Sequence, residues 1–345
     1  MRFTVERDHF LTAVKRASGV IAGRNTVPVL ACVHIAATDT GLRVRGTNLN
    51  EWVTVACDAA VTAPGAACIN AAQLSAWLAA SPKGALVELR LGDRADLTAG
   101  RATASFAVFD SADFPTPPNR DADVEVPRGI EGLRVCAPYA ADEEARHYLN
   151  GVAINSGHAV ATNGHILAAL DIGAPVDLAA IIPTFGVRQI VQSSDAARLF
   201  VGEYAWACED GPVVMGGKLI EGTFPDWSRV VPKGMPIVAT VDADSLADVV
   251  AQVQIASSDK AKAIAMDGDG EAVAVSCRGD AMAASASVTG EGEPFRAAIS
   301  SRYAQIAMKT FAGRVVSLAS AADQPVVLTS EAAPGLLSCI MQMRA

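Results

Sequence analysis

The chain has 345 residues, 51% of them hydrophobic and 19% charged, with a formal net charge of −9. That length and apolar content suit two or three packed domains and exclude a disordered chain. The acidic balance argues against a protein that coats nucleic acid with positive charge, while leaving room for a local basic surface.

No run of about 18 apolar residues occurs, so no membrane-spanning helix is expected. Residues 1–8 lack the apolar core of a signal peptide. The seven cysteines, at 32, 57, 68, 136, 208, 277 and 339, are odd in number and scattered, and no Cys-x-x-Cys occurs. They read as reduced thiols of a cytoplasmic protein.

In chain order, residues 3–5 alternate like a short strand. A helix is predicted over 7–20, with Phe10, Leu11, Val14 and Ala17 on one face. A second strand (67–70) precedes a short helix over 71–80, and an alternating run at 87–91 leads into the turn residues Gly92 and Asp93. The same order then returns. Residues 124–126 precede a helix over 127–140, and 180–183 precede another. It returns once more at 237–241, before a helix over 242–255 capped by Asp242 or Asp244, and at 297–300, before a last helix.

Ile69, Ile182 and Ile299 mark the repeat, 113 and then 117 residues apart, and Phe114-Pro115 returns as Phe224-Pro225. The chain therefore reads as three copies of one unit of about 115 residues, each with two helices and about eight strands. The boundaries fall near 119–123 and 233–236, giving domains 1–121, 122–233 and 234–345. Strands dominate, so an α+β architecture of sheets with helices on one face is expected.

Enzyme motifs fail on inspection. The segment 211–218 resembles a phosphate-binding loop but has Gly217 where lysine is needed and Leu219 where a hydroxyl is needed. The segment from Asp267 begins like a calcium loop, then places Ala272 and Arg278 at its sixth and twelfth positions. His9, His34, His147, His158 and His165 have no metal-ligand spacing, and no Gly-x-Ser-x-Gly elbow occurs. No cofactor, metal or catalytic residue is expected.

Several segments carry a family resemblance. Residues 146–151 (RHYLNG), 161–168 (ATNGHILA) and 222–233 (GTFPDWSRVVPK) resemble signature segments of the bacterial DNA polymerase III beta subunits, the beta sliding clamps. Residues 22–30 (AGRNTVPVL) and the ending 341–345 (MQMRA) are similar to its first-domain segment and its tail. The resemblance implies a DNA clamp fold, in which a head-to-tail dimer of three-domain subunits forms a six-domain ring around duplex DNA. It implies a non-enzymatic processivity factor that tethers the replicative polymerase. The implied partners are double-stranded DNA, the polymerase, the clamp loader, other proteins with clamp-binding peptides, and a second copy of the chain.

The resemblance also implies three sites. A hydrophobic cleft for linear peptides with leucine and phenylalanine anchors would use Leu149, Thr162, Gly164, His165, Ile166, Leu167, Pro225, Arg229 and Val230 with Pro325, Cys339, Ile340, Met341, Gln342 and Met343. The DNA-facing set would be Arg7, Lys15, Arg16, Arg24, Arg134, Arg146, Arg188, Arg198, Arg302, Tyr303 and Lys309. The dimer interface would use Ala104, Phe106, Ile255 and Ala256. This chain departs from the family at Gln342, where the tail usually has proline, at Ile166, where arginine is frequent, and at Thr184-Phe185, where a basic pair is frequent. Those departures favour, as an alternative, a divergent paralogue with a restricted partner set. An enzyme pairing a cysteine with a histidine is a more distant alternative.

Overall fold

The computed structural model describes residues 1–23, 26–117, 122–257 and 262–343. From the amino end run β1 (Arg2–Glu6), α1 (Arg7–Ser18), β2 (Cys32–Thr38), β3 (Gly41–Thr47), β4 (Glu51–Cys57), β5 (Ala60–Ala63), β6 (Gly65–Asn70), α2 (Ala71–Ala80), β7 (Leu86–Leu91), β8 (Ala95–Ala99), β9 (Ala102–Phe106) and β10 (Val108–Phe109). Next come β11 (Val124–Glu125), α3 (Gly129–Cys136), β12 (Gly151–Asn155), β13 (His158–Thr162), β14 (Ile166–Asp171), β15 (Ala179–Pro183), α4 (Thr184–Ile190), β16 (Arg198–Val201), β17 (Ala205–Asp210) and β18 (Val213–Lys218). The last stretch holds β19 (Ile237–Asp242), α5 (Ala243–Val253), β20 (Ala263–Gly268), β21 (Ala272–Arg278), β22 (Ala283–Gly292), β23 (Phe295–Ser300), α6 (Ser301–Thr310), β24 (Val315–Ala319), β25 (Val326–Thr329) and β26 (Leu336–Ile340).

A strand, a helix and three strands thus follow one another six times, with the short β5 and β10 as additions. The helices form where the apolar spacing places them. Phe10, Leu11, Val14 and Ala17 of α1 are buried, as are Leu246, Val250 and Val253 of α5. Asp242 caps α5 by accepting a 2.8 Å bond from the Ser245 amide, and Asn70 caps α2 through the Gln73 amide. The helix predicted over 127–140 is shorter. It ends at Cys136 and continues as a 3₁₀ turn over Ala137–Tyr139, because Pro138 has no N–H to extend the α ladder.

The repeat is visible in individual bonds. Asp8 accepts a bond from the Gly84 amide at 3.1 Å, and Asp244 accepts one from the Gly313 amide at 2.9 Å. Both glycines are left-handed, with φ of 70° and 71°, where a side chain is strained.

The chain forms two compact units, Met1–Val126 with Arg188–Leu219, and Pro127–Val187 with Ile220–Ala345. The first holds a five-stranded sheet in the order β5-β1-β7-β8-β9 and a nine-stranded sheet in the order β10-β6-β2-β3-β4-β18-β17-β16-β11. The second holds twelve strands in the order β15-β12-β13-β14-β26-β25-β24-β19-β22-β21-β20-β23. All pairings are antiparallel, so each sheet can bury one face against helices and leave the other to solvent.

Two of these pairings join strands distant in sequence. In the first unit β4 pairs with β18, from Val213 opposite Val55 to Gly217 opposite Glu51. In the second, β14 pairs with β26, from Ile166 opposite Ile340 to Leu170 opposite Leu336. Each pairing joins the third strand of an odd-numbered module to the third strand of an even-numbered one. The corresponding strands of the remaining modules are β22 and β9. β9 ends its sheet, and residues 283–289 of β22 pair only with β21 among the described residues.

Candidate functional site

The β14–β26 pairing shapes an apolar cleft in the second unit. Its cavity of about 250 Å³ lies among the 3₁₀ turn His147–Leu149, the turn joining β13 to β14, the loop at 224–230 and the residues at the end of β26. Leu149, Leu167, Phe224 and Cys339 are buried together in its base, with Tyr148 and Trp227 packed against them. Val230 and Met341 stand on the rim, 55% and 46% exposed. Large apolar side chains left to water beside a concavity mark a place where another apolar group can be buried.

Backbone chemistry holds the rim in shape. Asn163 Oδ1 accepts bonds from the His165 and Ile166 amides at 2.9 and 3.1 Å, closing the turn that leads into β14. Thr162 Oγ1 donates to the Ile166 carbonyl at 2.8 Å and accepts from the Gly164 amide at 3.0 Å. Gly164 is left-handed (φ 89°), and a Cβ there would lie 3.0 Å from the Arg146 guanidinium. The His165 carbonyl accepts a 2.9 Å bond from the Met341 amide, which fixes the tail beside the cleft.

Ten of the expected cleft residues line this cavity: Leu149, Thr162, Gly164, His165, Ile166, Leu167, Pro225, Val230, Cys339 and Met341. Five do not. Ile340 is fully buried at the end of β26, and Pro325 is buried in the loop just before β25. Arg229 points to solvent and pairs with Asp226 at 2.9 Å. Gln342 and Met343 line a neighbouring depression. Gln342, which stands in place of proline, donates through Nε2 to Ser320 Oγ and to the Ala321 and Gln324 carbonyls, and so ties the tail to the loop before β25. The sequence reading missed Arg146 as a cleft residue, together with Tyr148, Phe224, Asp226 and Trp227. All five lie inside the segments that carry the family resemblance, which is the signal that could have found them.

The basic residues separate into distinct environments. Arg7 is only 6% exposed, and its guanidinium donates to the Leu78 and Ala79 carbonyls at 2.6 and 2.5 Å and pairs with Asp8. It caps the carboxyl end of α2 and does not face DNA, which corrects the expectation. Arg198 lies on β16, where Glu125 neutralises it at 2.7 Å and Phe200 lies beneath its guanidinium. Arg146 pairs with Glu143 at 2.8 Å on the cleft wall. Arg24 lies outside the described residues. Lys15, Arg188, Arg302 and Lys309 are exposed on helices, and Arg16 is half-buried, donating to the Gln189 carbonyl at 2.9 Å. Arg134 and Lys309 share one groove with Val135, Pro138, Ile306 and Thr310. Tyr303 is half-buried beside His165.

At the expected dimer residues, Ala104 is half-buried on the edge strand β9. Phe106 is 8% exposed and meets Trp77 edge-on. Ile255 is 73% exposed and Ala256 is buried, both in the 3₁₀ turn after α5.

The comparisons with known proteins agree with this geometry. Residues 1–118 match the family model described as the DNA polymerase III beta subunit, N-terminal domain. The beta sliding clamp of Escherichia coli K12 is 30% identical over 287 residues, 77% of each chain. That of Caulobacter vibrioides is 27% identical across the full length of both chains. Among solved structures, a Caulobacter crescentus beta sliding clamp superposes with a TM-score of 0.90 at 26% identity, covering all of both chains. A griselimycin-bound clamp from Bartonella birtlesii superposes with a TM-score of 0.93 at 24% identity, again over all of both chains. Sixfold modules, a cleft beside the last strand and a relative of this identity and coverage together place the chain in the beta sliding clamp family of DNA polymerase III beta subunits.

Proposed function

We propose that two copies of the chain close head to tail into a ring around duplex DNA and tether a polymerase, and other partners with apolar peptide motifs, at the cleft. The observation that carries this reading is the pattern of strand pairing. β4–β18 and β14–β26 are two instances of one junction, and β22 and β9 are the strands a third would use. A β22–β9 junction between copies, made twice, covers both open edges and closes the assembly. Three domains, 1–121, 122–233 and 234–345, follow from two modules each. Ala104 and Phe106 then sit in the interface strand, and Ile255 and Ala256 flank it.

A ring is retained on DNA by topology, so its cationic surface needs only weak, sequence-independent contacts. Lys15, Arg16, Arg134, Arg188, Arg302 and Lys309, all on helices, supply them. Each phosphate they neutralise contributes about −0.9 to the salt dependence of binding. The role is non-catalytic. Burial pushes the Cys57 and Cys208 thiols up to about 11 and the Cys68 and Cys339 thiols up to about 12, far from the thiolate a nucleophile needs. The protein works in the cytoplasm. No described helix is long and apolar enough to cross a membrane.

The test is topological. With a clamp loader and ATP, the protein is loaded onto nicked circular DNA, and the DNA is then linearised. Release on linearisation supports encirclement, and retention on the linear form shows ordinary binding.

A further inference from the structure

In the first unit, the face of the nine-stranded sheet turned away from α1 carries a basic and aromatic cluster. Side chains alternate along β3. A Cβ at Gly46 would lie 2.0 Å from the Ala17 carbonyl oxygen, so Gly46 faces α1, and Arg43, Arg45 and Thr47 face the other way. His34 of β2 stands opposite Arg45, and Arg45 stands opposite Thr54 of β4. Arg45 Nε donates to Thr54 Oγ1 at 3.2 Å. Two residues along, about 7 Å away, Arg43 is exposed between Ala36 and Ala56. On the other side of Arg45, Trp52 stands opposite Thr47 and Gly216. Its indole packs against Gly216, where a Cβ would lie 2.8 Å from Trp52 Cζ2. Trp52 is half-buried, so part of its ring meets solvent.

The charge on this face has no partner within it. Arg45 is half-buried, and burial and the Arg43 charge beside it both press its pKa down, with no carboxylate opposing them. Arg16, the half-buried arginine of α1, differs, because there Asp210 acts in the opposite direction. His34 is also pressed down, first by burial and then by Arg45. Three carboxylates mark the margins of the cluster. Asp58 follows the end of β4, and Asp113 precedes the Phe114 ring that lies 5.3 Å from the His34 ring. Glu209 lies two strands beyond Thr54 and faces Arg198 at 3.8 Å. Thr54 holds Nε of Arg45 and so fixes the guanidinium, whose two Nη groups remain as a fork for an oxyanion.

Two arginines in line along one strand, with an indole on the next strand beside them, fit a chain of phosphates that carries bases. We propose that this face binds a short stretch of single-stranded nucleic acid, with Arg43 and Arg45 on phosphates and a base stacked on Trp52. Sheet faces that combine basic and aromatic side chains bind single strands in this way, because every base has a face to stack and every nucleotide a charge to neutralise. Trp52 and Arg45 are diagonal neighbours across β3 and β4, a spacing that long and aromatic side chains bridge. An acidic peptide would satisfy the arginines and leave the indole unused. The surface lies on the far side of the sheet from Lys15 and Arg16 of α1, so it is separate from the helical cations assigned to duplex DNA. It depends neither on ring closure nor on the peptide cleft.

The test titrates the full-length protein with an oligodeoxythymidine of about ten nucleotides at low salt, followed by anisotropy and by tryptophan fluorescence. Binding is expected to quench part of the fluorescence of the four tryptophans. Trp52→Leu is expected to lose that quenching and to bind about tenfold more weakly, whereas Trp52→Phe, which keeps a ring, stays within about threefold of the wild type. The double variant Arg43→Gln/Arg45→Gln is expected to bind more weakly, with a salt dependence shallower by about 0.7 for each phosphate left without its cation. Its thermal midpoint shows that it is folded, and it carries the test if Trp52→Leu does not fold. No binding of the oligonucleotide overturns the proposal. So does binding with the same affinity and salt slope in the arginine variant, and a loss seen only in Lys309→Gln assigns the binding to the helices instead. Thymidine monophosphate or inorganic phosphate binding as tightly as the oligonucleotide overturns it in favour of a small-anion site. Polyglutamate competing equally well, with no quenching, overturns it in favour of an acidic protein.

Discussion

The His165 imidazole and the Tyr303 phenol lie nearly parallel, their ring centroids 6.1 Å apart and their planes inclined by 17°. The Tyr303 hydroxyl also accepts a 3.3 Å bond from Asn163 Nδ2, so one side chain of α6 supports the turn that forms the cleft rim. Tyr303 therefore acts here as a positioning residue. Tyr303→Ala is expected to weaken binding of a leucine- and phenylalanine-anchored peptide about tenfold, whereas Tyr303→Phe, which keeps the ring, stays within about threefold. Calorimetric titration of the two variants decides it, and equal losses would assign the effect to the hydroxyl instead.

The open edge of β9 makes a second prediction. Ala104 sits in the middle of that strand, half-buried, opposite Leu97 of β8. A lysine placed on a strand edge keeps another strand from adding to it. Ala104→Lys is expected to shift the protein from dimer to monomer in light scattering, with its thermal midpoint as a monomer little changed. Ala286→Lys, on β22, is expected to do the same from the other side. A variant that remains a stable dimer would place the interface elsewhere.

Arg7 offers a third. Its guanidinium satisfies carbonyls at the end of α2. Arg7→Met keeps the packed stem and leaves the Leu78 and Ala79 carbonyls without that donor. Hydrogen bonds to charged groups contribute about 1.5–3 kcal/mol, so a loss of about 2 kcal/mol in urea denaturation is expected. The salt dependence of DNA binding is expected to stay as in the wild type, whereas Lys309→Gln should make it shallower by about 0.9 for each phosphate left without its cation. A changed slope in the Arg7 variant would return that residue to the DNA surface.

These cases show where the sequence was legible. The six modules were readable because apolar spacing and strand alternation are local, and the helix predicted at 242–255 differs from α5 mainly by a 3₁₀ turn over Gln254–Ala256. The cleft was readable where short segments carry it, as at Thr162 and Gly164. What was hidden depends on contacts between distant positions. Nothing near Arg7 announces that Leu78 and Ala79 will take up its guanidinium, 71 and 72 residues later. A basic residue at the start of a helix looks the same whether it faces solvent or caps a second helix. The open edge of β22, proposed above to meet β9 of a second copy, escaped notice for a related reason. It follows from which side of the sheet is left unpaired among the described residues, and pairing is a property of the assembled fold.

The β4–β18 junction contains a buried acid that makes stability depend on pH. Glu51 is 4% exposed, lies opposite Gly217, and accepts one 3.3 Å side-chain bond, from Asn48. A Cβ at Gly217 would lie 2.7 Å from Glu51 Cγ and 2.9 Å from Trp206 Nε1, an N–H that is buried without a partner. Burial, only partly offset by the Asn48 bond, raises the Glu51 carboxyl from its ordinary 4.5 to about 7. Between these values the unfolded chain has lost a proton that the folded protein keeps, so this group's contribution to stability falls as pH rises through that window. Below it both states are protonated and above it both are ionised, and the contribution is flat. Once the window is passed, the penalty is on the order of 3 kcal/mol. Glu51→Gln keeps an acceptor for Asn48 and removes the titration. It is expected to be more stable than the wild type by about that amount at mildly alkaline pH and close to it at acidic pH, measured as the difference in urea midpoints across the range. A difference that does not change with pH would show that the Glu51 carboxyl titrates in the folded protein as it does in the unfolded chain, with its burial offset at the junction by some other group.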